Sequence, residues 1–296
     1  MSSLLLPIFS KLSSESLLSL YPVFVKNINL PISIQLESRV LMYVIISLIF
    51  CNLPFIRKHI FTYYGLLLGF TNLLHIYTSY RGFQLLESGV SYTLFYTYPI
   101  MIILLSGLPF QVKTILAILT ALVGVYFISY DEIKSAPSHE NFEEKKNELK
   151  ENFSYEGFVM IFFAALTEAL IYFQVRNIKT DNNWNHVFIS YFLGMVIMTV
   201  YLLFTEKKEI IQDTKLIKRF SIAMLINAVI GSLGYFLRFF AATRLKPVLY
   251  AILSYFGIFM SFIYGIFFNK DKITTKKIIG ALLIIVSNFF LIQSIH

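Results

Sequence analysis

Charged side chains are scarce in this chain of 296 residues: Asp, Glu, Lys and Arg make up 14% of it, whereas hydrophobic residues make up 57%. Soluble globular domains carry about 25% charged residues, so the composition excludes an ordinary soluble domain. The mean hydropathy is +0.69, and the apolar runs of about 18–24 residues cross a hydrocarbon core of about 30 Å as helices and are too long for barrel strands. The sequence therefore predicts an all-α, multi-pass integral membrane protein.

Residues with metal or redox chemistry are also few. The single cysteine, Cys51, excludes an internal disulfide. The histidines are scattered, whereas a metal-dependent membrane oxidoreductase needs a cluster of them. No Walker A sequence is present to hold ATP phosphates, and no repeated filter-like loop indicates a channel. We therefore expect no metal, no cofactor and no catalytic residue. The five histidines are His59, His75, His139, His186 and His296.

The net charge of +8 does not indicate nucleic-acid binding, because most Lys and Arg residues stand in short clusters beside apolar runs, where they anchor helices at the lipid interface. The apolar stretch Leu4–Phe9 is too short for a signal-peptide core and follows no basic region. We therefore expect the first helix to stay in the mature protein. The expected location is a plasma or inner membrane, with an organelle membrane as the alternative, and the expected state is a monomer or homodimer.

One polar segment stands at the midpoint of the chain. Residues 130–156 hold 12 charged side chains in 27 residues, whereas the other 269 residues hold 30. A segment this polar belongs in water. Within it, residues 142–151 form either a short solvated helix, with opposite charges three or four residues apart, or part of a flexible linker.

Ten apolar spans are predicted, five on each side of this segment, from the runs between Lys or Arg, Pro and Asn. The first carries Lys11 and Glu15, so it is either an amphipathic surface helix or a crossing helix that lines a protein interior or wet cavity; we favour the crossing helix. The spans are residues 4–26, 32–54, 60–80, 88–106, 112–130, 157–177, 185–204, 219–242, 247–268 and 275–294.

Local similarities relate the two halves and indicate a duplication. Because a unit that crosses five times ends on the opposite face, its copy is inserted upside down. Such inverted repeats are typical of transporters, whose substrate site lies near the midplane. The predicted repeats are residues 1–130 and 157–296, joined by the polar loop 131–156. The matches are Val25–Ile28 with Val175–Ile178 at a spacing of 150, Glu15 with Glu168 at 153, and Arg81 and Tyr98 with Arg238 and Tyr255 at 157.

Two carboxylates lie near the middle of predicted spans, where a charge costs about 2.5–3.5 kcal/mol on insertion scales. Glu15 and Glu168 therefore either bind a cationic group of a small substrate or carry a coupling proton. The alternative is structural, with Glu15 paired to Lys11 and Glu168 held by hydroxyls. The groups that share their helix faces are Ser19 and Pro22 with Glu15, and Tyr172 with Glu168.

Polar stripes also mark the third and eighth spans. Asn72 and His75 follow Gly65 and Gly69 along the third, and a glycine pair permits close approach of helices. On the eighth, Asn227, Gly231, Gly234 and Arg238 follow one another at i, i+4, i+7 and i+11. We expect Asn72, His75 and Asn227 to face the cavity; the alternatives are interhelical hydrogen bonds for the two asparagines and a satisfied core histidine.

Proline interrupts the fourth span at Tyr98-Pro99, because it removes a backbone donor and clashes with the preceding turn. Pro99 and Pro22 are the expected hinges, unless the kink serves only curvature. Tyr98 and, on the ninth span, Ser254 and Tyr255 are placed near substrate. Arg39, early in the second span, pairs with Glu37, extends to the interface or binds an anionic group of the substrate. We expect no metal ligand among these residues.

These features together resemble the drug/metabolite transporter superfamily in its EamA-like branch. The resemblance rests on ten spans as five plus five, Arg39, the Lys26-Asn27 end of the first span and Ser91–Pro99 (SYTLFYTYP). In the second half it rests on Arg244–Pro247 (RLKP) and Ile278–Ile284 (IIGALLI). It implies two inverted five-helix repeats around a central cavity lined by the first, third, fourth, sixth, eighth and ninth spans, working by alternating access.

The expected function is secondary transport of a small polar metabolite, coupled to protons or to exchange. The alternatives are a receptor or scaffold without transport and a membrane-embedded enzyme. The resemblance places both termini in the cytosol, which leaves seven Lys and Arg residues in cytosolic loops against fifteen opposite. The positive-inside rule favours the reverse, so we predict only that both termini lie on one side.

Overall fold

A computed structural model describes residues 2–21, 24, 28, 30–85, 94–107, 112–134, 155–205, 214–269, 274–276, 278–280, 282–283 and 286–287. Within these residues every regular element is a helix and no strand occurs. The chain is therefore an all-α membrane protein, as its composition predicts.

Eleven helices are present in the described part of the chain, and most coincide with predicted spans. Several helix ends carry capping residues. For example, the side chain of Asn52 accepts a hydrogen bond from the Phe55 N–H at 3.1 Å and so caps the N-terminus of the third helix. The helices are α1 (Ser2–Leu18), α2 (Ile32–Phe50), α3 (Leu53–His59), α4 (Tyr63–Leu85), α5 (Tyr98–Leu105), α6 (Val112–Lys134), α7 (Tyr155–Asn177), α8 (Asn183–Thr205), α9 (Thr214–Ala242), α10 (Pro247–Ser254) and α11 (Phe256–Asn269).

Four stretches of these helices are long and apolar enough to cross a membrane: Ile32–Phe50, Glu156–Asn177, Asn183–Phe204 and Lys218–Ala242. At 1.5 Å per residue they are roughly 28–38 Å long, which matches a hydrocarbon core of about 30 Å. They are the second, sixth, seventh and eighth predicted spans. The other predicted spans coincide, where they are described, with helices that are shorter or more polar, and most of 275–294 lies outside the described residues.

Several predicted boundaries differ from the structure by a few residues or more. The helix of the first span ends at Leu18 in a turn at residues 19–20. At the central polar segment, α6 continues to Lys134, because no proline follows span five before Pro137. On the other side of the segment, α7 begins at Tyr155. The run 142–151, predicted as a solvated helix or a linker, lies outside the described residues.

Helices of the two halves pack against each other throughout. α1 contacts α9, α10 and α11; α2 contacts α8 and α9; α4 contacts α7 and α8; and α5 contacts α7 and α10. Glycines permit two of these approaches, since a Cβ on Gly69 would lie 2.9 Å from the Leu193 Cβ and one on Gly234 would lie 2.8 Å from Leu18 Cδ2. The interior therefore belongs to both halves, while many large apolar side chains lie on the outside, as expected of a surface solvated by lipid.

Candidate functional site

The two predicted carboxylates meet at one arginine in the interior. Glu15 lies near the end of α1 and Glu168 in the middle of α7, and Arg238 of α9 reaches both of them. Arg238 Nη2 donates to Glu15 Oε1 at 2.9 Å, and Nη1 donates to Glu168 Oε1 at 2.6 Å. All three side chains are at most 4% exposed. A buried charge is tolerated when it is paired and hydrogen-bonded, so this bridge lets two carboxylates lie inside the bundle.

Glu15 has a second cation. Lys11, one turn earlier on α1, donates to Glu15 Oε1, and its ammonium lies 3.7 Å from the centre of the Tyr250 ring. The hydroxyls of Tyr96 and Tyr98 each donate to a Glu15 oxygen at 3.3 Å. The structural alternative for Glu15, pairing with Lys11, is therefore part of the arrangement, but the carboxylate is held by groups from α1, α5, α9 and the turn at residues 96–97.

Glu168 has a different surrounding, because its second oxygen faces a histidine. His75 Nε2 lies 3.2 Å from Glu168 Oε2 and 3.3 Å from the Tyr235 hydroxyl. The other ring nitrogen, Nδ1, lies 3.0 Å from the Ala164 carbonyl oxygen, which can only accept, so Nδ1 carries a proton. Nε2 and the facing carboxylate oxygen both accept in their unprotonated forms, so a single proton between them satisfies both. The pair is a site where one proton can be held.

Lys11, Glu15, Arg238 and Glu168 form a charge-balanced group, with two cations and two anions. We call these four residues the central ion cluster.

A second buried arginine has no carboxylate beside it within the part of the chain that the structure describes. Arg39 of α2 is 4% exposed and lies among aromatic rings instead. Its guanidinium donates to the hydroxyl of Tyr21 and, at 3.1 Å, to that of Tyr191. Both predicted structural roles of Arg39 are wrong. Burial excludes extension to the interface, and Glu37 does not pair with it, since its Oε1 accepts from the Thr199 hydroxyl at 2.6 Å.

A cavity of about 420 Å³, including the part open to the outside, joins the two arginines. Its polar wall is formed by both halves of the chain, and its apolar wall includes Phe83 and Phe95. The polar lining side chains are Tyr21, Arg39, His75, Ser79, Tyr96, Tyr235 and Arg238.

Several predicted site residues lie near this cavity without lining it. Tyr98 is fully buried and bonds Glu15, as described above. The hydroxyl of Ser19 lies 2.6 Å from the Glu15 carbonyl and 2.8 Å from that of Gly257, so it ties α1 to α11. Asn72 donates to the Ser190 carbonyl at 3.0 Å, which is the interhelical hydrogen bond given as its alternative.

The remaining predicted site residues are not brought to the cavity. Tyr172 donates to the Leu245 carbonyl at 3.2 Å, and Ser254 bonds the Tyr250 carbonyl of its own helix at 2.9 Å. Tyr255 is buried, and its hydroxyl has no hydrogen-bond partner among the described residues. Asn227 precedes Arg238 by eleven residues on α9, which is about 16 Å along the helix.

Of the two predicted hinges, Pro22 lies outside the described residues. Pro99 stands in the first turn of α5, where a missing N–H costs nothing. Residues 94–95 are helical and 96–97 form a turn, so the fourth span is interrupted in the region where Tyr98-Pro99 predicted a kink. A second interruption at Tyr255, between α10 and α11, was not predicted.

Sequence reasoning missed Lys11 and Arg238 as members of the site. Lys11 entered only as a structural partner of Glu15, and Arg238 only as the end of a stripe on α9. A stricter rule would have found both, since any ionisable group inside a predicted span is a candidate functional residue, cations as well as carboxylates.

Residues 156–293 match the model of the EamA-like transporter family. A solved structure titled only "Crystal structure of protein" superposes with a TM-score of 0.71 at 12% sequence identity, over 99% of this chain and 97% of that chain. At this identity the likeness shows the fold alone. No curated protein matches the chain. The family match confirms the resemblance drawn from the sequence, and it assigns the second half of this chain to the EamA-like family of membrane transporters in the drug/metabolite transporter superfamily.

Proposed function

We propose that this protein is a secondary transporter that moves a small polar metabolite by alternating access between two inverted five-helix repeats. The repeats are residues 1–130 and 157–296, joined by 131–156. The observation that carries the proposal is the position of the central ion cluster: Lys11 and Glu15 come from the first half, Glu168 and Arg238 from the second, and Arg238 lines the cavity between them. Movement of one half against the other breaks or re-forms the Glu15–Arg238 pair, which joins the two halves.

The pattern of helix contacts supports the repeat. Exchange of the halves replaces α1 by α7, α2 by α8, α4 by α9 and α5 by α10. Under this exchange the contact of α1 with α9 becomes that of α7 with α4, and the contact of α2 with α9 becomes that of α8 with α4; all four are present. The contacts of α2 with α8 and of α5 with α10 map onto themselves. A contact pattern that is unchanged by exchange of the halves is expected of a pseudo-two-fold axis.

The interrupted spans support a binding site at the same level. The fourth span breaks at residues 96–97 and the ninth at Tyr255, and these two spans exchange under the proposed symmetry. Discontinuous helices near the repeat interface are a common feature of substrate sites in transporters. Tyr96, at the first break, contacts both Glu15 and the cavity.

The coupling ion in this proposal is a proton, held between His75 Nε2 and Glu168 Oε2. The charged or titratable groups that act on this pair come from four helices: Arg238 and Tyr235 from α9, Arg39 from α2, Lys11 from α1 and Tyr250 from α10. Since Arg238 bonds the other Glu168 oxygen, arrival or loss of a proton changes the strength of the ion pair that joins α7 and α9. His75 comes from the first half and Glu168 from the second, so a proton shared by these two side chains is linked to the packing of the halves.

Counterflow into proteoliposomes tests transport directly. The purified protein is reconstituted with one unlabelled solute inside, and uptake of the same labelled solute is measured for anionic, neutral and cationic metabolites. We expect accumulation for one chemical class. Protein that binds a solute, by the thermal shift it causes, yet carries none would be a receptor and would refute the proposal.

Thiol labelling tests alternating access, because Cys51 is the only native cysteine. In a Cys51→Ser background, Ser79→Cys places one thiol on the cavity wall. A membrane-impermeant maleimide is applied to either side of vesicles in which the protein has one orientation. Reaction from both sides is expected, and a transported solute is expected to change the two rates in opposite directions. The wild-type Cys51, in the loop between α2 and α3, is the control and should react from one side only.

A further inference from the structure

We propose that Arg39 binds the anionic group of the transported substrate, a carboxylate or a phosphate. The proposal rests on the transport function above and narrows its substrate class to small anionic metabolites.

The first argument is the unused donor capacity of a buried group. A guanidinium has five N–H donors, and hydrogen bonds to the hydroxyls of Tyr21 and Tyr191 account for two of them. Nε is buried and has no hydrogen-bond partner among the described residues. Buried polar groups are normally satisfied, so an unpaired one calls for a missing partner. Because Arg39 lines the cavity, a bound ligand can supply that partner.

The second argument is the missing counter-charge. Within the described residues no carboxylate oxygen lies within 4.0 Å of an Arg39 nitrogen. The nearest acidic residue in sequence, Glu37, bonds Thr199 on α8 instead. The central ion cluster is balanced by itself, so adding Arg39 leaves the cavity wall with one surplus positive charge. A surplus buried cation is costly, and an anion entering the cavity removes that cost.

The third argument is the surrounding of the guanidinium. Five tyrosine rings have their centres 4.3–5.8 Å from Arg39 Cζ. Rings at these distances stabilise a cation by cation–π attraction and fix the plane of the guanidinium without neutralising it. A planar guanidinium held in this way suits bidentate recognition of carboxylate and phosphate oxygens. The rings are those of Tyr21, Tyr43, Tyr80, Tyr191 and Tyr235.

Charge selectivity of the wild-type protein is the first test. Thermal unfolding in detergent is followed with inorganic phosphate, succinate and glutamate as anions, with glucose as a neutral solute and with lysine as a cation. Comparing succinate and glutamate with phosphate distinguishes carboxylate from phosphate recognition. Stabilisation by at least one anion and none by glucose or lysine is expected. Equal effects of the anions and glucose, or stabilisation by lysine alone, would overturn the proposal before any variant is made.

Variants then assign the effect to Arg39. For the anion that stabilises the wild-type protein, we expect Arg39→Gln to weaken the apparent affinity at least tenfold. The affinity of Arg39→Lys should fall between those of the wild-type protein and Arg39→Gln, because lysine keeps the positive charge but loses the planar guanidinium that can bind two oxygens at once. Arg219→Gln, which removes an exposed arginine from α9, is the matched control and should leave the affinity unchanged. An unchanged affinity in a folded Arg39→Gln protein would refute the assignment.

Counterflow separates this proposal from the transport function on which it rests. Uptake of phosphate, succinate or glutamate that is lost in Arg39→Gln supports both. Uptake of glucose or lysine but no anion leaves the transporter in place and refutes the role of Arg39. Absence of counterflow for every solute, with anion-dependent stabilisation retained, refutes the transporter and leaves an anion receptor.

Discussion

Replacing Arg238 by leucine should expose an inequality between the two carboxylates that it bridges. Breaking a buried ion pair from one side costs about 3–5 kcal/mol, because the remaining charge is left unpaired. In Arg238→Leu, Glu15 keeps Lys11 and two tyrosine hydroxyls, whereas Glu168 keeps, among the described residues, only the facing His75. Most of the cost should therefore come from Glu168.

A double-mutant cycle measures the inequality. Adding Glu168→Gln to Arg238→Leu removes the unpaired charge and should recover roughly 2 kcal/mol or more, because the loss in the single variant comes from an uncompensated charge. Adding Glu15→Gln removes the partner of Lys11 instead and should recover nothing. Independent sites add within roughly 0.5 kcal/mol. The recovery expected with Glu168→Gln exceeds this margin and that expected with Glu15→Gln does not, so the cycle can tell them apart.

Equilibrium unfolding in mixed micelles provides the free energies. Measurement at pH 8, where an ordinary imidazole is uncharged, prevents His75 from replacing the lost cation. Arg219→Leu on the exposed part of the same helix is the matched control and should stay within about 0.5 kcal/mol of the wild-type protein. Equal recovery by Glu168→Gln and Glu15→Gln, or simple additivity with Glu168→Gln, would show that Glu168 does not depend on Arg238.

Two further outcomes follow from the same contacts. Gly257→Ala should destabilise the protein by roughly 1–3 kcal/mol, because the new Cβ would overlap the Tyr96 hydroxyl and lie 2.8 Å from Glu15 Oε2. Gly194→Ala, whose Cβ would approach nothing closer than 3.5 Å, is the control in the same unfolding assay and should cost less. An inwardly directed proton gradient should accelerate solute uptake into proteoliposomes. Glu168→Gln should abolish this acceleration, while counterflow without a gradient persists. Acceleration that survives in the variant would exclude Glu168 as the proton carrier.

Glu15 and Glu168 were predictable from the sequence because a carboxylate inside an apolar span needs a partner, whatever the surrounding fold. Which partner it finds depends on packing. Arg238 lies 223 residues from Glu15 and 70 from Glu168, and no local pattern brings three such helices together. Asn72 shows that a shared helix stripe does not fix the role of a polar group. It lies on the same stripe as His75, but its side chain bonds a carbonyl of α8, whereas His75 lines the cavity.

The interrupted spans divide in the same way. The break before Tyr98 was predicted because Pro99 cannot continue a helix. The break at Tyr255 has no proline, and the contacts across it are tertiary: Gly257 packs against Glu15 and Tyr96. For Arg39, helix geometry alone would have excluded pairing with Glu37. Glu37 and Arg39 are two residues apart, and residues at i and i+2 of a helix do not face each other.

The difference between the two buried arginines decides which of them is available to a substrate. A third anion beside Arg238 would approach two carboxylates that already share its guanidinium, and repulsion from them would offset the attraction. At Arg39 no such carboxylate is present among the described residues, so an anion at about 4 Å gains on the order of 4 kcal/mol at an effective dielectric constant of 20. Tyr235 lies between the two sites, with its ring centre 5.4 Å from Arg39 Cζ and 5.5 Å from Arg238 Cζ and its hydroxyl 3.3 Å from His75. Tyr235 therefore connects the proposed anion site at Arg39 to the His75–Glu168 pair and to Arg238, whose ion pair with Glu15 joins the two halves.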